Sequence, residues 1–151
     1  MDTAQTSEPM QLPAVIRQGG GYGWISAAVL GVALALVSLI IPWLLSDRDA
    51  FSFLAVWLGA TGAVYLGFAL NDGREKAFRT EVVGMALFVA AATAALALGW
   101  PWLLAAGYFG HCLWDLVHHG RGIDTTMPWW WVPACLGYDA VIGAYILIRF
   151  L

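Results

Sequence analysis

Long apolar runs broken by short polar stretches set the first reading of this chain. A membrane-spanning helix needs about twenty mainly apolar residues, because each residue rises about 1.5 Å against a hydrocarbon core about 30 Å thick. Runs of that length occupy residues 22–45 and 50–70, separated by the polar turn Ser46-Asp47-Arg48-Asp49. A third covers 80–98, after the charged stretch Asn71-Asp72-Gly73-Arg74-Glu75-Lys76, which reads as a helix end and turn. The apolar stretch 80–119 is too long for one span, and Gly99-Trp100-Pro101-Trp102 interrupts it with residues that suit a tight interfacial turn. The pattern therefore predicts a fourth span over 102–119 and a fifth over 128–150, joined by a polar loop at 120–127. If 99–101 only kinks one helix, the count is four. Pro133 is expected within the last span, with neighbours or water satisfying the carbonyl it frees.

The expected fold is an all-α, polytopic transmembrane helical bundle, a single domain over residues 21–151. Composition agrees: 61% of residues are hydrophobic and 11% charged, against about a quarter charged in soluble domains. Residues 1–20 lack the basic start and early apolar stretch of a secretory signal and read as a flexible cytoplasmic tail. Basic residues in short loops favour the cytoplasm. Placing the N-terminus inside puts Arg17, Arg74, Lys76, Arg79 and Arg121 there and leaves Arg48 and Arg149 outside. Trp24 and Trp129, Trp130 and Trp131 then mark the inner interface, and Trp43, Trp100 and Trp102 the outer one. Membrane lipid is the implied partner. The scattered cations form no basic stripe, so nucleic acid is not an expected partner.

Small residues recur at helical spacing at Ala27, Gly31 and Ala35, and at Ala55, Gly59, Ala63 and Gly67. Such stripes let helix backbones approach, either within the bundle or in a homo-oligomer or larger membrane complex. Cys112 and Cys135 lie in apolar segments without C-x-x-C spacing and read as buried small hydrophobes. A nucleophile elbow and a glycine-rich phosphate loop are both missing from the sequence.

The candidate chemistry is concentrated in Gly110-His111-Cys112-Leu113-Trp114-Asp115-Leu116-Val117-His118-His119, which holds all 3 histidines. At about 100° per residue, positions 111, 115, 118 and 119 fall within roughly 100° of arc, with His119 at the edge. His111, Asp115, His118 and His119 are thus candidate metal ligands. Glu81 enters the third span at a depth near His118, and Asp139 lies about half-way along the fifth. A carboxylate at mid-membrane costs roughly 2.5–3.5 kcal/mol on insertion scales, so Asp139 should face the bundle interior with a partner, for which His111 is the candidate. Asp139 and Glu81 are the candidates for general base or for orienting a ligand.

Three uses of this cluster compete. The residues can hold zinc or a single iron that acts on a lipid-soluble or amphiphilic substrate. His111 or His118 can instead be an axial ligand to a haem or a chlorophyll-type pigment, with Gly107 and Gly110 making room for a flat ring. Or the acids and histidines can pair structurally, in a non-catalytic subunit or in proton-linked transport. Three histidines are too few for the many-histidine di-iron centre of membrane desaturases and alkane hydroxylases. Trp129-Trp130-Trp131 reads as an interfacial anchor or as a lipid-substrate contact surface.

The pattern His111, Trp114, Asp115, His118, His119, followed by Cys135 and Asp139, resembles a family of small uncharacterised bacterial integral membrane proteins with a His-x-x-Trp-Asp-x-x-His-His helix. The resemblance covers the last forty-odd residues and implies a multi-pass protein of the bacterial inner membrane with a site at this helix. It implies no particular reaction.

Overall fold

The computed structural model describes residues 21–119, 123 and 125–151; the expected tail over 1–20 and much of the polar loop at 120–127 lie outside the described residues. The helices are α1 (Gly21–Ser38), α2 (Ile40–Leu44), α3 (Asp47–Asp72), α4 (Glu75–Leu98), α5 (Pro101–His119) and α6 (Trp131–Phe150). There is no strand among the described residues.

Local chemistry sets the helix ends. Pro42 has no N–H to give the carbonyl four residues back, at Ser38, and the ladder breaks there. The chain nevertheless keeps its course, with Leu39 N–H donating to Ala35 O at 2.9 Å and Trp43 N–H to Leu39 O at 3.0 Å. Gly23–Leu44 therefore serves as one apolar rod of 22 residues. Ser46 caps α3 by accepting from Asp49 N–H at 3.2 Å, and Asp47 and Asp49 fill the positive first turn. Gly73 and Gly99, at φ 75° and 63°, end α3 and α4 in the left-handed region that a side chain disfavours. Pro101 opens α5, where a missing N–H costs nothing. The chain at Gly99-Trp100-Pro101 is thus a turn between two helices rather than a kink in one.

The third span, α4, begins at Glu75, five residues before the expected start of the apolar run. Charged residues are good helix formers, and Glu75 and Arg79, one turn apart, pair at 2.6 Å. Hydropathy marks the lipid-embedded part of a helix, not its solvated end. Conversely α6 starts at Trp131, three residues later than expected, after a turn in which Trp131 N–H donates to Pro128 O at 3.1 Å. Pro133 then falls in the first turn, where amides have no helical acceptor, and it frees no carbonyl.

Four rods, Gly23–Leu44, α3, α4 and α6, are long and apolar enough to cross a membrane. Helix α5 is absent from that set because its inward face carries the polar residues, while Leu113, Leu116 and Val117 face outward. Large apolar side chains such as Val29, Leu36, Val56 and Ile148 are at least 60% exposed, a surface suited to lipid and not to water. Helix α6 packs against both α1 and α5, and α3 packs chiefly on α4. The apolar core, including Leu54, Leu58, Leu104, Ile142 and Ile146, fills the end of the bundle away from the α5–α6 loop.

The first small-residue stripe is an internal contact. Ala27, Gly31 and Ala35 are buried, and a Cβ on Gly31 would collide with the Ala134 carbonyl of α6. Gly137 of α6 stands in the same relation to Ala28 of α1. The second stripe is used only at its start: Ala55 is buried, whereas Ala63 and Gly67 are exposed. The face of α3 that is buried carries Leu54, Leu58, Gly62, Tyr65 and Ala69 instead.

Candidate metal centre

Helix α5 buries Leu104, Ala105, Tyr108, His111, Cys112, Asp115 and His118, a continuous three-and-four spacing in which polar groups replace apolar ones over the last two turns. His111, Asp115 and Asp139 are buried at 0%, 0% and 1% exposure. Each offers one ligand atom, and these atoms lie within 4.8 Å of one another. His111 Nδ1 is 2.7 Å from Asp139 Oδ2 and 3.7 Å from Asp115 Oδ1. The hydroxyl of Tyr65, from α3, donates to Asp115 Oδ1 at 2.5 Å. Three helices therefore meet at this point. The ring of His111 lies against Phe88 at 4.7 Å and Tyr65 at 5.6 Å between centroids, and the backbone of Thr61 adjoins it.

One turn nearer the α5–α6 loop is a second cluster. His118 Nε2 is 2.7 Å from Glu81 Oε1, and its Nδ1 is 2.8 Å from Trp114 O. Glu81 also accepts from Thr125 Oγ1 at 2.6 Å and from Trp114 Nε1 at 3.3 Å. A carbonyl oxygen only accepts, so Nδ1 of His118 carries a proton, and Nε2 is taken up by Glu81. His118 offers no lone pair to an ion in this arrangement. Gly84 makes the cluster possible: a Cβ there would lie 2.6 Å from the Trp114 ring.

Of the residues singled out from the sequence, the structure thus brings His111, Asp115 and Asp139 together and sets His118 with Glu81. His119 is exposed, its ring edge-on to Trp24 at 6.0 Å. Trp114 was noted only within the family pattern, and Tyr65 and Thr125 were not singled out. Only Tyr65 left a trace in the sequence, as a phenol well inside an apolar span that needs a partner for its hydroxyl. A ring-sized slot at Gly107 and Gly110 is not found among the described residues: Leu58 fills the space at Gly107, and Phe88 adjoins Gly110. The surroundings of His111 do not fit a haem or a chlorophyll-type pigment.

The charges do not balance within the buried set. Among the described residues the buried polar groups are Glu81, His111, Asp115, His118, Thr125 and Asp139, which is three carboxylates against two imidazoles. His118 serves Glu81, and His111 serves Asp139. Asp115 has a neutral phenol donor and the shared His111 Nδ1 at 3.7 Å, so a further proton or cation would be needed to make this pocket neutral. Three of its atoms also lack a hydrogen-bond partner although buried: His111 Nε2, Asp115 Oδ2 and Asp139 Oδ1. Buried polar atoms are nearly always partnered. One imidazole nitrogen and one oxygen from each of two carboxylates, within 4.8 Å of one another, are donors that suit zinc or iron.

These features define a helical bundle with four apolar membrane-length rods and a buried His/Asp centre. The chain belongs to a family of unknown function, DUF6010, which it matches over residues 26–150. No curated protein matches it. Nor does any solved structure.

Proposed function

We propose that this chain is a metal-dependent enzyme of the bacterial inner membrane, acting on an amphiphilic substrate from a site near the cytoplasmic face. The observation that carries the reading is the convergence of His111, Asp115 and Asp139, wholly buried, with three polar atoms lacking partners. A divalent ion there would be neutralised by the two carboxylates, which suits a low-dielectric interior. When bound, the ion supplies Lewis acidity toward a substrate oxygen or water. The atoms that converge are Nδ1 of His111 and one oxygen from each of Asp115 and Asp139, so an ion would take the place of the proton that His111 and Asp139 share. Tyr65 fixes the carboxylate of Asp115. Glu81 and His118 pair one turn away and hold α4 against α5.

Elemental analysis of purified protein beside its His111→Ala/Asp115→Ala variant tests this. Near-stoichiometric zinc or iron, lost in the variant, is the expected result; no metal in either protein overturns the reading. A second reading, a non-catalytic subunit in which these groups only lock helices, draws on the direct bonds from α5 to α6 at His111–Asp139 and from α3 to α5 at Tyr65–Asp115. It gains if the wild-type protein is metal-free and the variant loses thermal stability.

A further inference from the structure

Helix α1 packs on α6, and α3 packs on α4, so a cleft is left between α1 and α3 with α6 at its floor. The cleft holds a cavity of about 230 Å³ whose walls include Leu34, Thr61, Val64, Trp131, Cys135 and Tyr138. That is below the roughly 300–1,000 Å³ of pockets that enclose a drug-sized ligand, so the cleft takes a slender segment of a molecule. Its hydroxyls are turned to other partners: Thr61 Oγ1 donates to Leu58 O at 2.9 Å, and Tyr138 OH pairs with Ser38 Oγ at 2.8 Å. The walls therefore offer a ligand hydrocarbon contact and little else. Along α6 the cleft runs from Trp131 to Tyr138, seven residues or about 10 Å of depth.

The inner wall of the cleft is also the outer wall of the metal centre. Thr61 stands one turn of α3 before Tyr65, and Cys135 stands one turn of α6 before Asp139. Tyr138, in the cleft, is the residue before Asp139. We infer that the α1/α3/α6 cleft is the substrate channel of this protein, taking the hydrocarbon chain of a membrane fatty acid or related acyl amphiphile directly from the bilayer. The inference rests on the metal-enzyme reading for its catalytic meaning, not for the binding itself. The occupant is a lipid chain because the cleft's own rim residues Leu34, Trp57 and Val64 are large, apolar and exposed, and acyl chain is the medium that such a face meets.

The test uses the full chain in phospholipid nanodiscs with a palmitic acid analogue carrying a terminal diazirine, followed by peptide mapping of the cross-links. Labelling should concentrate on Leu34, Val64 and Tyr138 over outward residues such as Val83 and Ile148. Val64→Trp and, from the opposite wall, Leu34→Trp should each abolish cleft labelling while leaving metal content unchanged. Both positions are exposed, at 38% and 52%, so the larger side chain has room without disturbing the core. Even labelling over all outward faces, retention of cleft labelling in both variants, or protomer-to-protomer cross-links in place of lipid adducts would overturn the proposal. Metal content is read on the same samples: labelled cleft without metal in the wild type removes the ion and leaves the channel, whereas metal without cleft labelling does the reverse.

Discussion

Two polar clusters lie one turn apart on α5 and are built on opposite principles. The Glu81–His118 cluster is closed: both carboxylate oxygens and both ring nitrogens have partners, drawn from α4, α5 and Thr125. The His111–Asp115–Asp139 cluster is left open at three atoms, although it is more deeply enclosed in the bundle. Buried charge that is fully partnered fixes helix positions; buried charge left open is a cost that binding something can offset. The first cluster is thus read as scaffold and the second as site, held apart by the tilted ring of Tyr65, 4.6 Å from the centroid of His118.

The sharpest way to break this comparison is Glu81→Ala, which strands His118 in the interior. Removing one partner of a buried pair costs about 3–5 kcal/mol, so thermal unfolding in detergent should fall steeply with metal content irrelevant to the loss. Asp139→Asn is the opposite case. It keeps shape and volume but replaces a charged oxygen of the ligand set by an amide, and it should lower metal affinity by at least about 10–100-fold, with the fold retained by circular dichroism. If Asp139→Asn unfolds the protein as severely as Glu81→Ala, the open cluster is scaffold as well.

Tyr65→Phe sharpens the boundary between the two. It takes the donor from Asp115 Oδ1 and should cost about 1–3 kcal/mol, the penalty of one unsatisfied buried acceptor; added zinc should restore part of that loss if Asp115 is a ligand. Gly84→Ala pushes a Cβ against Trp114 and should cost about 1–3 kcal/mol by overpacking, read as a lowered unfolding temperature with unchanged metal content. The smallest effect belongs to Thr125→Val, which removes one of the donors on Glu81 and should cost about 0.5–1.5 kcal/mol.

Much of the helical architecture is legible along the chain because lipid imposes it. A bilayer requires each span to satisfy its own backbone, so apolar length, Gly99 before Pro101, and Ser46 before two acids are enough to place most helix limits within a few residues. The exceptions are the ends outside lipid: hydropathy is silent on Glu75 to Arg79, where charged residues continue α4, and on Pro128 to Trp130, where apolar residues form a turn. The likeness of the two small-residue stripes is a further limit. Ala27, Gly31 and Ala35 meet α6, whereas Ala63 and Gly67 face outward, and spacing alone carries no information on which neighbour a helix meets.

The sequence by itself determined that His111, Asp115 and His118 share one face of a helix and that Asp139, deep in another span, needs a partner within the bundle. Helical periodicity and the cost of a carboxylate in hydrocarbon were sufficient for that. Only the tertiary structure decided how the shared face is divided. Helix α6 supplies Asp139 to His111 and α4 supplies Glu81 to His118, because each neighbour crosses α5 at its own height and reaches a single turn of it. Periodicity fixes direction around one helix axis; which acid arrives at which turn depends on where the axes cross, and that is set by long-range contacts such as Gly31 on Ala134 and Gly84 on Trp114.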